Sequence, residues 1–209
     1  MQIQISVEQL ERVEKLLYGI PGAIPTAEAN AFNRGMEAAK TEAKRQIQQR
    51  YAITQGNLGK YNKTKIQRAS AGGTEAYIEF RGPKVPLYKY TPAPKSRTYV
   101  AERIPVMIHG VGWRNVFKSG DVSAMDSRES GMVARPAGFI ATFKSGHTGI
   151  FKRTGGSTST GNEKIKEYWG YSVADMLDYE PAREAIRKKT EETVNKRLEH
   201  EITRILSRY

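Results

Sequence analysis

Two stretches of this chain have the spacing of a chemical site, and each lacks a residue the chemistry needs. Gly156-Ser-Thr-Ser-Thr-Gly161 has the glycine spacing of a phosphate-cradling loop. Such a loop needs a following Lys for the β/γ-phosphates and a hydroxyl for magnesium. Asn162 and Glu163 occupy those two places, so the stretch reads as a low-complexity mobile loop. His200-Glu201 begins like the helical zinc-protease motif, but Arg204 stands where the second histidine should be, so the paired ligand on that helix face is missing. His109, His147 and His200 fall on separate predicted elements. There is no cysteine, which excludes thiolate nucleophiles, zinc–thiolate sites and disulfides. No Gly-x-Ser-x-Gly elbow occurs, and the aspartates form no motif. The expectation is no catalytic residue, no metal ligand and no cofactor.

Binding chemistry is better represented. Eleven tyrosines include Tyr88, Tyr90 and Tyr99, interleaved with Lys84, Lys89, Lys95 and Arg97. Aromatic and basic side chains in alternation can stack bases and neutralise phosphates, or supply amphipathic area to a protein interface. Pro83, Pro86, Pro92 and Pro94 make residues 82–97 an extended arm, and protein contact is the reading favoured for it. The net charge of +12, with pI near 9.8, favours polyanions or acidic protein faces. Lys and Arg are scattered from Lys40 to Arg208, so a plain solvated surface competes with that reading. No apolar run is long enough to span a membrane. The opening Met-Gln-Ile-Gln-Ile-Ser lacks the pattern of a secretory signal, so synthesis and folding in a cytoplasm are expected.

The elements that must position these residues follow from periodicity. Ser6 and Gln9 have capping-box spacing, and Val7, Leu10, Val13 and Leu17 mark one helical face ended by Gly19 and Pro21-Gly22. A second helix is predicted from an N-cap at Thr26 to about Tyr51, burying Phe32, Met36, Ala39, Ala43 and Ile47, with Arg34, Lys40, Lys44, Arg45 and Arg50 outside. Near residue 63 the period changes to two. Ile66 to Ala69 and Ala76 to Phe80 read as a hairpin about Gly72-Gly73. Val106 to Ile108 reads as a strand, and Phe139–Phe143 with Gly149–Arg153 as a second hairpin. Residues 118–136 are polar and aperiodic, predicting a flexible loop. From Pro181 the helical period returns, with Ile186, Val194, Leu198, Ile202, Ile205 and Leu206 as the stripe. The lean apolar share, 38 %, suits long surface loops or elements that become buried only on assembly. The fold expected is α+β: two N-terminal helices, a central antiparallel sheet of hairpins, and a long C-terminal helix packed on it. Residues 1–209 read as one domain with the arm 82–97 and the loop 118–136.

One block carries a family resemblance. Ile150-Phe-Lys-Arg-Thr154, then Ile165-Lys-Glu-Tyr-Trp-Gly-Tyr-Ser-Val-Ala-Asp-Met-Leu177, resembles the signature region of phage minor tail protein Z, where a Phe-Arg strand and a Ser/Gly-rich loop lead into a Gly-x-Ser-Val segment. Other pieces are similar in the same order: Glu11-x-x-x-Lys15-Leu-Leu with Ile20-Pro21-Gly22, Ala31-Phe-Asn-Arg34, Tyr51-x-Ile53, Pro86-Leu87 and Leu198-Glu-His-Glu. Tyr171 and Ala174 depart from the family's pattern, which has prolines there, and residues 118–136 look like an insertion. The resemblance implies a structural virion protein that completes the head-proximal end of the tail and joins it to the head. It implies a ring of copies, six in number. The other implied partners are tail terminator, tail tube or head–tail connector proteins, close to genomic DNA and with no membrane. It implies a place in the virion tail or neck, reached from the host cytoplasm. The partner-interface candidates are Pro86, Leu87, Tyr88, Tyr90, Trp169, Tyr171, Ser172 and Val173. The alternative, resting on charge, is a basic nucleic-acid-binding protein contacting DNA.

Overall fold

The computed structural model describes residues 7–70, 76–90, 95–96, 103–108, 112–117, 122–125, 127–131, 133–135 and 138–208. The capping box at Ser6, the Gly72-Gly73 turn, Tyr99, His109 and the outer part of the arm lie outside them. The fold is α+β. Among the described residues, helices α1 (Val7–Leu17), α2 (Ala23–Arg50) and α3 (Gln55–Tyr61) lead, and ten strands follow. Helices α4 (Val173–Leu177) and α5 (Glu180–Leu206) come last. The chain groups into two compact units. Unit 1 takes residues 1–47, 62–82 and 174–209; unit 2 takes 48–61 and 83–173.

Unit 1 is built on helices. Val13 and Leu17 of α1, Ala23, Ala27 and Ala31 of α2, and Val194, Leu198, Ile202 and Ile205 of α5 form one buried aliphatic cluster. At about 1.5 Å per residue α5 is about 40 Å long, so its stripe can cover both N-terminal helices. This corrects the expectation that α5 lies on the sheet: its apolar face is covered by α1 and α2. Small residues make the closest approach. A Cβ on Gly35 would stand 2.5 Å from Cγ2 of Val194, so α5 can come this near α2 only because position 35 has no side chain. Thr190 fills the stripe between Ile186 and Val194, fully buried, with its hydroxyl donating to the Ile186 carbonyl at 2.7 Å. Leu206 is exposed and leaves the predicted stripe. Phe32 is only half-buried. Helix α2 starts earlier than predicted, because Pro25, which lacks an N–H, is tolerated in a first turn whose N–H groups have no intrahelical partner. Thr26 therefore sits inside that turn, its hydroxyl donating to the Gly22 carbonyl at 2.6 Å. Strands β1 (Lys65–Gln67) and β2 (Tyr77–Glu79) pair antiparallel with Ile66 opposite Ile78, as the predicted hairpin requires.

Among the described residues of unit 2, the remaining strands lie in three small antiparallel sheets, so the sheet of hairpins expected is divided. Strands β4 (Arg103–Ile108) and β5 (Gly112–Phe117) form one pair. Strands β3 (Lys95–Ser96), β6 (Val122–Ala124) and β7 (Val133–Arg135) form a second sheet in the order β3-β6-β7. The predicted loop at 118–136 is thus corrected over its described part. Val122 and Ala124 are buried, and this burial fixes two strands too short to show alternation. In the third sheet, β8 (Gly138–Thr142), β9 (Thr148–Ser157) and β10 (Glu163–Glu167) lie in the order β10-β9-β8. Phe139 faces Phe151 across the register, and both join Ala141 in a buried cluster flanked by Phe143 and Ile165. Gly155–Gly161, predicted as a mobile loop, instead extends β9 and turns into β10. The turn is closed by Thr158 N–H to the Asn162 carbonyl, 2.7 Å, and Gly161 N–H to the Thr158 carbonyl, 2.9 Å.

Candidate partner-contact site

The eight predicted interface residues come from two stretches distant in sequence, and unit 2 brings them together. The backbone does it. Val85 N–H donates to the Tyr171 carbonyl (3.2 Å), Gly170 N–H to the Val85 carbonyl (2.8 Å), and Leu87 N–H to the Tyr168 carbonyl (3.1 Å). Pro86 and Trp169 form an antiparallel bridge between these bonds, which Pro tolerates because it has no N–H to leave unpaired. The seam continues into the sheet through Tyr168 N–H to the Ile150 carbonyl, 2.8 Å. A short 3-10 turn follows at Leu87–Lys89, and Asn57 Nδ2 donates to the Lys89 carbonyl at 2.7 Å.

Tyr90 anchors the seam from below. It is 2 % exposed, and its hydroxyl oxygen accepts the Tyr171 N–H at 3.1 Å. The ring lies so close to the chain that a Cβ on Gly170 would stand 2.5 Å from the Tyr90 hydroxyl oxygen and 2.7 Å from its ring carbons. Gly170 is therefore required by close approach rather than by backbone angle. The Tyr171 ring meets the buried Tyr51 at a centroid distance of 5.3 Å and an interplanar angle of 58°, within the range of favourable tilted aromatic pairs. The Arg50 guanidinium lies 5.8 Å from the Tyr51 ring centre.

The eight residues separate by burial. Pro86, Leu87, Tyr90, Ser172 and Val173 are buried, so their side chains serve the interior of unit 2. Tyr88 is half-buried, with Lys89 Nζ 5.5 Å from its ring centre. Trp169 and Tyr171 remain 48 % and 42 % exposed. They are two residues apart in a strand-like pairing, the spacing that sends side chains to one side. Both stretches are legible in the sequence, whereas the part that Val85, Gly170 and Tyr51 play in holding them is not. A glycine inside an aromatic run is the one signal that would have exposed the close approach.

Chemistry elsewhere is structural in form. His147 Nε2 lies 2.8 Å from Glu167 Oε1, and its ring stacks on Phe143 at 6.1 Å. Burial, and secondarily the Glu167 charge, push the Tyr61 hydroxyl above its ordinary value. The phosphate-loop look-alike at 156–161 is a hairpin turn leading into β10, so no helix N-terminus stands behind it to hold an anion. Among the described residues, no three His, Cys, Asp or Glu side chains come together as metal ligands, and no helix is long and apolar enough to cross a membrane.

No curated protein and no solved structure matches the chain. A family model does: prophage minor tail protein Z (GPZ) matches residues 3–209. That span includes the helices of unit 1, the sheets of unit 2 and the seam with its exposed Trp169 and Tyr171, and the chain belongs to this family of phage minor tail proteins.

Proposed function

We propose that the protein is a tail-completion subunit, closing the head-proximal end of the tail and joining it to the head by protein–protein assembly without catalysis. The observation that carries this is the pair of exposed aromatics, Trp169 and Tyr171, set on a hydrogen-bonded seam in a member of a tail-protein family. Large aromatics on a rigid frame are the side chains that dominate interface energetics, because little entropy is lost when they are covered. The partners are copies of the same chain in a ring of six, together with tail terminator, tail tube or head–tail connector proteins. The arm 82–97 and residues 118–136 lie at the neighbour contacts, and the chain acts as one domain within the ring.

Electron microscopy of intact particles tests the proposal. The expected image is a ring of six copies at the head-proximal end of the tail. One copy per particle, or density at the distal tip, overturns it. In the same particles, replacing both Trp169 and Tyr171 with Ala should lower incorporation by at least about tenfold, since a lost interface anchor costs about 2 kcal/mol or more. The free protein should stay folded, its melting temperature lowered only by loss of the Tyr171–Tyr51 pair, worth about 0.5–1.5 kcal/mol. Normal incorporation would remove these residues from the interface.

A further inference from the structure

Unit 1 carries a second surface, of different chemistry. Along the groove between α2 and α5 lies a depression of about 540 Å³ lined by Arg34, Lys189, Glu192, Thr193, Lys196, Arg197 and His200. Four permanent cations face one carboxylate there. Lys189, Thr193, Lys196 and His200 follow one another at steps of four, three and four residues, which places them in a line on one side of a helix. At about 1.5 Å per residue the line runs roughly 16 Å, about five base-pair steps of duplex rise.

The state of these charges distinguishes the groove from an ordinary solvated helix face. Arg197 is already engaged by the buried Glu201 at 2.5 Å, and Lys189 makes a long contact of 3.9 Å with Glu192. The side chains of Arg34, Lys196 and His200 make no hydrogen bond or ion pair among the described residues, although the chain holds carboxylates enough to pair many of its cations. An adjoining depression of about 280 Å³ is lined in part by Arg34, Glu37, Glu42 and Lys189. Its acids have partners of their own: Glu37 binds Arg68 at 2.6 Å, and Glu42 binds Arg45 at 3.1 Å. The free charge along the groove is therefore positive.

We infer that the α2–α5 groove binds the phosphate backbone of double-stranded DNA, through Arg34, Lys189 and Lys196, without reading sequence. No lining residue of the larger depression is a hydrophobic side chain. A docked protein would need apolar anchors there, whereas phosphates need only cations and donors. Backbone contact of this kind is independent of base sequence and steeply dependent on salt. The inference stands apart from the tail-completion reading, which concerns unit 2 and protein contacts.

The test uses the full chain and a labelled 30-base-pair duplex of mixed sequence. Binding is expected at low salt, with affinity falling as salt rises. The double variant Arg34→Glu/Lys196→Glu should bind at least about tenfold more weakly, with a salt slope smaller by about two. Both positions are exposed, so folding should survive, and an unchanged thermal melt checks this. A control of equal net charge, Lys60→Glu/Lys144→Glu on exposed positions of unit 2, should retain most of the affinity. An equal loss in the control would overturn the groove assignment in favour of net charge. Equally tight binding of polyglutamate would overturn DNA in favour of an acidic protein partner. No salt-dependent binding at all would also end the proposal.

Discussion

The interior of unit 1 is aliphatic and helical, drawn from Val13, Leu17, Ala27, Ala31, Val194, Leu198 and Ile202. The interior of unit 2 mixes aliphatic side chains, among them Ile53, Leu58, Val85, Leu87 and Ile150, with the buried rings of Tyr51, Tyr90, Phe139 and Phe151, and rests also on backbone bonds between short segments. Missing side chains allow close approaches in both units: Gly35 beneath Val194 in unit 1, and in unit 2 Gly170 beneath Tyr90, with Gly138 against the Arg135 carbonyl and Gly149 against Glu167 as well. In unit 1 that approach lets two long helices bury apolar area along their length, and burial is the dominant favourable term in folding. In unit 2 the approach at Gly170 delivers a backbone N–H to a buried hydroxyl and leaves Trp169 facing outward. In unit 1 the close approach serves burial; in unit 2 it fixes a frame that carries two exposed aromatic rings.

If that contrast is right, a charge in the helical interior should do the greatest damage. Leu198→Asp buries an unpaired carboxylate where the neighbours are aliphatic. The expected loss is several kcal/mol, comparable with a whole domain's stability of about 5–15 kcal/mol, and should appear as insoluble or unfolded protein in urea titrations. A soluble variant with a normal midpoint would show that the stripe does not carry unit 1.

The buried carboxylate of unit 1 comes next. Glu201 is 0 % exposed and receives Asn30 Nδ2 at 3.2 Å and Arg204 Nε at 2.9 Å. Burial alone would raise its pKa, but hydrogen bonds from Arg204 and Asn30 and the charges of Arg197 and Arg204 outweigh it and hold the group below the ordinary range. A depressed carboxyl stabilises the fold above its unfolded-state pKa, and that contribution is lost as pH falls through the folded value. Glu28 has the opposite sign: burial, then the Glu14 charge, raise it, so acid relieves a penalty there. Glu201→Gln should cost about 2–4 kcal/mol at neutral pH, less than for a wholly enclosed pair because both arginines reach solvent. It should also flatten the acid limb of stability against pH. An acid limb identical to that of the unchanged protein would remove Glu201 as its source.

The smallest effect is expected in unit 2. Gly170→Ala forces a methyl group into the Tyr90 ring, and overpacking of this kind costs about 1–3 kcal/mol. Because Tyr90 is enclosed, the strain should appear as a shifted tyrosine fluorescence or NMR signal as well as a lower melting temperature. A cost larger than that of Leu198→Asp would invert the comparison between the units.

The same contrast explains what was legible in the sequence. Long helices announce themselves through many repeats, so α5 was bounded closely by Pro181 and the 186–205 stripe. The β8–β9 hairpin was readable from its two apolar runs and the Lys144-Ser-Gly-His turn. Strands β6 and β7 were not, because three residues hold too little alternation and their Ser/Gly setting resembles a loop. Strand β10 reads Glu-Lys-Ile-Lys-Glu, a polar surface edge with one apolar residue. Thr190 and Glu201 are not legible as core positions, because a polar residue in a stripe looks like a gap, although both are buried. Of the interface candidates, the two stretches were legible; which side chains turn inward depended on a seam between residues far apart in sequence.

The interleaving of the units has a consequence for tolerance to change. From the standpoint of the helical bundle, everything between α2 and α5 is a single closed loop: the Asn30–Glu201 contact spans 171 residues. The entropy of closing a loop grows only with the logarithm of its length, about 0.6 kcal/mol for each doubling. Insertions or deletions of a few residues among the sheets therefore leave the bundle's closure cost almost untouched. Residues 48–61 and 83–173, the two chain segments of unit 2, are thus free to vary in length while the helices of unit 1 keep one architecture.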